Sequence, residues 1–156
     1  MFQDALKSIP ACRDDGETVN VFVETPTGSR DKFDLDHDSG LFHWSLQLPL
    51  GNRFPFSFGF VPNTLAEDGD PLDIILLVDG SIPQGTIVPS RLVGVLTVRQ
   101  DETGDGEART RNDRVLAVPT LAQSFGGVRD VGELRPGLYE EMGEFFAGYN
   151  KLIDRA

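Results

Sequence analysis

The residues best able to do chemistry stand in one short run, Asp68-Gly69-Asp70-Pro71-Leu72-Asp73, which leads directly into the apolar segment Ile74 to Val78. Three carboxylates fall within six residues. Two carboxylates about 5 Å apart repel by roughly 3 kcal/mol at an effective dielectric near 20, and three converging ones meet that cost pair by pair. They escape it by protonating, by splaying into water or by sharing a cation. A hard divalent cation such as Mg²⁺ takes oxygen ligands in octahedral geometry and suits phosphate chemistry. The alternative is a solvated acidic turn with its side chains pointing outward, and spacing alone leaves both open. Gly69 permits a backbone bend that a side chain would obstruct, and Pro71 stiffens the chain as it enters the strand. An EF-hand is excluded, because Pro71 and Leu72 stand where its loop needs polar ligands and no glutamate closes a twelve-residue loop.

Other chemically able residues are scattered. Glu24 ends a candidate strand, Lys32 and Asp34 share a strand face, and Arg114 precedes another strand. Tyr149 lies on an apolar helical stripe with Lys151 beyond it. Taken singly, Glu24, Lys32, Asp34 and Lys151 read as exposed charges and Tyr149 as a core aromatic. No glycine-rich phosphate loop followed by Lys-Ser or Lys-Thr is present, which disfavours a P-loop nucleotidase. His37 and His43 lack a zinc-ligand pattern, and no Gly-x-Ser-x-Gly occurs.

The elements that must position these residues are strands first and one long helix last. Met1 to Ile9 has the spacing of a short amphipathic helix ended by Pro10. Val19 to Glu24 alternates as a strand with its valines on one face, and Lys32 to Asp36 alternates again after the turn signal Pro26-Thr27-Gly28-Ser29. Leu41 to Leu48, Ile74 to Val78 and Val115 to Val118 are further strand candidates; Phe54 to Val61 is too interrupted for a helix. Thr86 to Val98 reads as two short strands or one bent one, and Arg99 to Asp113 as a polar hairpin tip. Leu138, Met142, Phe145, Phe146, Tyr149, Leu152 and Ile153 recur at helical spacing, with Pro136 suited to the first turn and Asp130 to capping a shorter helix before it. Short strands followed by a helix fit a single domain over residues 1–156, mainly β with α, as a small barrel or curled sheet with helical packing outside.

Bulk properties narrow the partners. The 156 residues are 39% apolar and 25% charged, the balance of a folded domain with its own core. Asp plus Glu (25) outnumber Lys plus Arg (14), for a net charge of −11. Nucleic acid and anionic membrane are therefore poor partners, whereas a local pocket or bound cations can still reverse the field for an anionic substrate. The lone Cys12 gives no disulfide framework, no apolar run approaches the roughly 20 residues of a spanning helix, and the start lacks a signal-peptide core. Cytoplasmic residence is the expectation.

From about Val19 to Tyr149 the chain resembles the soluble, single-domain, magnesium-dependent inorganic pyrophosphatases. The strongest part is Gly59-Phe60-Val61-Pro62-Asn63-Thr64-Leu65-Ala66-Glu67-Asp68-Gly69-Asp70-Pro71-Leu72-Asp73, similar to the family's glycine-aromatic stretch and aspartate signature. Supports in the same order are Val23-Glu24-Thr25-Pro26, Lys32-Phe33-Asp34, Val93-Gly94-Val95-Leu96, Arg114-Val115-Leu116-Ala117-Val118-Pro119 and Phe145-Phe146-Ala147-Gly148-Tyr149. The resemblance implies a five-stranded, OB-like β-barrel flanked by helices, and hydrolysis of inorganic pyrophosphate to two phosphates by metal-activated water. It implies Asp70 as the base for the attacking water, and Asp68 and Asp73 as ligands of Mg²⁺ or another divalent cation, joined by Asp101, Asn112 and Asp113. Lys32, Arg114, Tyr149 and Lys151 would bind phosphate, with Glu24 and Asp34 acting through metal-bound or ordered waters. Bacterial members commonly form hexamers, so a homo-oligomer is implied too.

The chain also departs from the family pattern. Ser45 falls where a phosphate-binding arginine is expected, with Arg53 nearby as a substitute; Phe54 and Phe58 replace active-site tyrosines. Asn112 replaces a metal-binding aspartate, Arg114 and Asn150 stand in place of lysines, and the chain ends at Ala156 where the family has a longer tail. Each lost hydrogen bond to a charged group is worth roughly 1.5–3 kcal/mol, so an active enzyme of reduced rate is one expectation. A non-catalytic binder of phosphate or metal, or a hydrolase of another small phosphoanhydride, is the alternative.

Overall fold

The structure, a computed structural model, describes residues 2–65, 69–97 and 113–155. The expected hairpin tip at Arg99 to Asp113 lies outside the described residues, apart from Asp113 itself. A short helix, α1 (Phe2–Lys7), precedes β1 (Thr18–Thr25), β2 (Asp31–Leu35), β3 (Phe42–Gln47), β4 (Ser57–Val61), β5 (Leu72–Leu76), β6 (Ile87–Leu96) and β7 (Arg114–Pro119). A 3₁₀ turn at Val131–Glu133 and the long helix α2 (Leu138–Arg155) complete the order. Five strands close into a barrel in the order β1-β4-β5-β7-β6, while β2 and β3 form a separate two-stranded hairpin. Neighbours in the barrel are antiparallel except β5 and β7, which run parallel. This is the five-stranded barrel with helices that the resemblance implied.

Period-two patterning sorts the side chains into two cores. Val19, Val21, Val23, Val61, Ile74, Leu76, Val88 and Ala117, drawn from all five barrel strands, fill the interior. The alternating partners Phe58, Ile75, Leu116 and Val118 face outward and are covered by Leu138, Met142, Phe146 and Tyr149 of α2. Each such side chain contributes about 1.5–3 kcal/mol when fully buried. A third cluster joins Phe22 and Phe60 to Leu35 of the hairpin and Leu6 of α1.

Local details refine the expectations from sequence. From Val19 to Thr25, β1 is buried on both faces rather than one, because the barrel interior takes its valines while the hairpin side covers Phe22 and Glu24. The segment that read as two short strands or one bent one is a single strand, β6, whose register shifts between Leu92 and Gly94; such a bulge lets a long strand bend around a barrel. Asp130 does cap the 3₁₀ turn, accepting from Gly132 N–H at 2.8 Å. Pro136, in contrast, lies outside α2. Gly137 at φ +86° separates the two, and the Gly137 carbonyl accepts from Glu141 N–H at 2.9 Å to start the helical ladder. No helix among the described residues is long and apolar enough to cross a membrane.

β1 and β4 approach closely where Gly59 pairs with Val23, and a Cβ there would overlap the Phe22 carbonyl oxygen. At Gly143 of α2 a Cβ would meet open space. Gly59→Ala is therefore expected to destabilise the domain by about 3 kcal/mol or more, and Gly143→Ala to stabilise it by roughly 0.5–1 kcal/mol, both read by urea denaturation.

Candidate active site

Strand register assembles the site on the outer face of the barrel. Phe60 pairs with Asp73 and Phe58 with Ile75 across β4 and β5, while Ile74 pairs with Val115 across β5 and β7. One residue earlier on each of the last two strands, Asp73 and Arg114 thus stand side by side on the face that carries Phe58 and Phe60. Glu24 joins them from β1, at the register shift next to Thr25, which pairs with Phe58. The β2–β3 hairpin leans over this face: Leu35 N–H donates to Glu24 Oε2 at 2.8 Å, and Thr25 Oγ1 donates to the Phe33 carbonyl at 3.0 Å. These bonds bring Lys32 and Asp34 of β2 against the barrel. Helix α2 closes the other side with Tyr149.

Between hairpin and helix lies an open cleft of about 380 Å³. Four carboxylates line it: Glu24, Asp34, Asp70 and Asp73. Lys32, Arg114 and Tyr149 line it as well, with Phe58 and Phe60 among its apolar walls and His37 also lining it. Asp70 and Asp73 of the acidic run therefore line a cleft shared with Lys32 and Tyr149. Gly69 takes φ +87°, the left-handed bend its residue type allows, and Thr64 secures the turn's exit. The Thr64 hydroxyl donates to the Val61 carbonyl at 2.6 Å and accepts from Leu72 N–H at 2.9 Å. Asp73 is consequently anchored at the strand mouth, whereas Asp70 stays exposed on the turn.

The two cations are buried against aromatic faces. Lys32 ion-pairs with Asp34 and sits 5.3 Å from the centre of the Phe58 ring. The Arg114 guanidinium lies 5.7 Å from the same ring, 4.8 Å from Phe146 and 5.4 Å from Tyr149. Its Nη2 donates to Asn150 Oδ1 at 2.9 Å. Burial lowers the Arg114 guanidinium, opposed by Tyr149 and Asp73, and a guanidinium stays charged at neutral pH all the same. Burial would also lower Lys32, but the charges of Tyr149, Asp34 and Glu24 when ionised outweigh it and hold the ammonium above its ordinary value. Burial pushes Tyr149 up, against the pull of Lys32 and Arg114, so at neutral pH its phenol keeps a proton to donate. Glu24 rises to about 8, chiefly through burial, with Asp34 and Asp73 adding to it and the Leu35 N–H and Lys32 opposing.

The donor set fits a hard cation. Its carboxylate groups outnumber its ammonium and guanidinium groups, and the only cysteine, Cys12, lies outside the cleft. Oxygen ligands of this kind suit Mg²⁺, Ca²⁺ or Mn²⁺ rather than a thiolate-seeking metal. Among the described residues, no three acidic, histidine or cysteine side chains are already gathered as a ligand set. Asp68, Asp101 and Asn112, all named as ligands from the sequence, lie outside the described residues. Asp113 is exposed and not part of the cleft lining. Lys151 is also exposed and faces a neighbouring hollow of about 360 Å³ beside Tyr149, not the cleft itself.

The departures from the family pattern have definite places. Ser45 is exposed and its hydroxyl donates to the Lys32 carbonyl at 3.3 Å; Arg53 is exposed and outside the cleft lining. Phe54 is buried under α2, edge-on to Phe145 and Tyr149. Sequence reasoning missed two participants. Phe58, noted for its lost hydroxyl, is the ring beneath both cations. Asn150, noted as a missing lysine, is a partner of Arg114 across 36 residues of chain. The signal for Asn150 was its place directly after Tyr149, which puts it near the same wall.

A family model described as inorganic pyrophosphatase matches residues 21–155. The chain belongs to the inorganic pyrophosphatase family. It is 34% identical to the Thermus thermophilus inorganic pyrophosphatase over 147 residues, covering 94% of this chain and 80% of that one. A relative from Saccharolobus solfataricus is 33% identical over 138 residues, 87% of this chain and 76% of the relative. The crystal structure of the Thermus thermophilus enzyme superposes with a TM-score of 0.80 at 33% identity, covering 96% of this chain and 82% of that one. A Helicobacter pylori inorganic pyrophosphatase gives 0.79 at 28% identity, covering 93% of this chain and 82% of that one.

Buried Glu24 makes stability depend on pH. The folded chain holds its proton up to about pH 8, whereas the unfolded chain releases it near 4.5. Between those values the folded state binds more protons, so this group's contribution to stability falls as pH rises and levels off above 8. Glu24→Gln removes that slope. In metal-free protein, the stability of the variant relative to the parent is expected to grow by on the order of 3 kcal/mol from pH 5 to pH 8, measured by urea denaturation at each pH.

Proposed function

We propose that this chain hydrolyses inorganic pyrophosphate to two phosphates with a divalent cation, Mg²⁺ first among them. The observation that carries the reading is the convergence of Asp70, Asp73, Lys32, Arg114 and Tyr149 on one cleft. Family membership and the enzymes it resembles support it.

In this reading Asp68 and Asp73, with Asp101, Asn112 and Asp113, would hold the metal. Bound there, it supplies Lewis acidity toward phosphate oxygens and water and neutralises part of the substrate's charge. Exposed Asp70 accepts the proton of the attacking water as that water's oxygen bonds to one phosphorus. The bridging oxygen leaves with the other phosphate. Lys32 and Arg114 meet the negative charge of both phosphates, and desolvation by Phe58 strengthens that attraction relative to open water. Tyr149 donates its phenolic hydrogen to the departing phosphate, a role that requires the neutral phenol burial maintains. Glu24 and Asp34 keep Lys32 in place, through its ion pair with Asp34 and the Glu24 bond to the hairpin. Lys151 meets phosphate only if a substrate extends toward the neighbouring hollow. Cytoplasmic residence and assembly as a homo-oligomer, such as a hexamer, complete the proposal; exposed Leu50 and Leu121 are apolar surface available to an interface.

Phosphate release from pyrophosphate should appear with Mg²⁺ and vanish on chelation with EDTA. Asp70→Asn is expected to keep the fold, since the side chain is exposed, and to lower kcat by about a hundredfold or more. Absence of phosphate release with Mg²⁺, Mn²⁺ and Zn²⁺ would overturn the assignment.

A further inference from the structure

Arg114 is held more closely than electrostatics requires. Its guanidinium is enclosed by Phe146 and Tyr149, whose rings stand at 81° to one another, and by Phe58 from a third direction. Aromatic faces restrain the plane of a guanidinium but not its rotation within that plane, because stacking has no directional partner there. A hydrogen bond from one Nη group adds a directional constraint. Asn150, with only 1% of its surface exposed, provides it through Oδ1 at 2.9 Å.

We propose that Asn150 is a positioning residue that fixes the orientation of the Arg114 guanidinium, so that the fork keeps one presentation to phosphate in the cleft. The inference rests on the reading of the cleft as a phosphate site. A neutral amide suits the task. A carboxylate at position 150 would hold Arg114 as firmly but would neutralise the charge the phosphate needs, whereas the amide oxygen orients the cation and leaves its charge intact. An ammonium at position 114 would offer Asn150 no planar fork to orient.

Calorimetry with inorganic phosphate in the presence of Mg²⁺ tests this without relying on turnover. Asn150→Leu, close in size but without an acceptor, is expected to weaken phosphate binding about tenfold when Arg114 is present. In an Arg114→Met background the same change is expected to alter affinity less than about twofold. An unchanged affinity in the single variant, or an equal loss in both backgrounds, overturns the proposal, the second by marking Asn150 as merely structural. Asn150→Asp should retain the bond yet bind phosphate more weakly than the parent, and tighter binding would contradict the charge argument. Should Asn150→Leu fail to fold, NMR of the parent protein decides: separate Nη proton resonances for Arg114 are expected, and a single averaged signal overturns the proposal. A parent protein that binds phosphate but does not hydrolyse pyrophosphate would sink the proposed activity while leaving this inference to the double-variant comparison. A parent that binds no phosphate would sink both.

Discussion

Lys32 and Arg114 are buried together over the ring of Phe58, and keeping two positive charges out of bulk water sets the terms for everything around them. Removing an ion from water costs several kcal/mol even after relaxation, so each cation must be compensated locally. Asp34 compensates Lys32 directly, and aromatic faces add on the order of 1–2 kcal/mol per desolvated contact. The cleft supplies more carboxylates than these two cations can neutralise, four against two. Glu24 keeps a proton to about pH 8, chiefly because it is buried, with Asp34 and Asp73 adding to the shift. A divalent cation in the cleft would offset the remaining excess of carboxylates. An excess of carboxylates therefore favours a metal, and an acidic chain of net charge −11 acquires a place where a polyanion can bind.

Much of this was legible in the residues themselves. The run Asp68 to Asp73 set three carboxylates close together, with a solvated turn as the alternative to a shared cation, and Gly69 allowed a bend there, because type and spacing carry that information locally. The barrel strands were legible for the same reason, since β5 and β7 are short apolar runs bounded by turn residues. What the sequence could not reveal is register. Asp73 and Arg114 are neighbours only because β5 and β7 pair in parallel with Ile74 opposite Val115, a long-range choice with no local signature. Pro136 misled for a related reason. Its suitability for a first helical turn is a local preference, and Gly137 at φ +86° overrides it by starting the helix one bend later.

The departures from the family pattern look different once placed. Losing the hydroxyl at Phe58 removes a hydrogen-bonding group, yet the bare ring lies beneath both buried cations, where a hydroxyl is not what they touch. Phe54 belongs to the packing under α2, edge-on to Tyr149, and so orients a cleft residue without reaching the cleft. Ser45 donates only to the Lys32 backbone, which steadies β2 but supplies no charge. The positive charge of the cleft thus rests on Lys32 and Arg114 among the described residues. Any substrate must be met from those two positions and from whatever cations it brings.

Helix α2 ties this chemistry to the stability of the whole domain. Its stripe buries Met142 and Phe146 against β4, β5 and β7, and the next turn delivers Tyr149 and Asn150 to Arg114. Phe146 serves both purposes at once, packing beside Phe58 while forming one face around the guanidinium. A loosened helix would therefore release Arg114 and Tyr149 together, before the barrel itself opened, because the barrel interior draws on a separate set of aliphatic side chains, chiefly valines. The cleft is rigid to the extent that α2 is docked. Its preorganisation rests on burial across the outer face of the sheet more than on the few hydrogen bonds within the site.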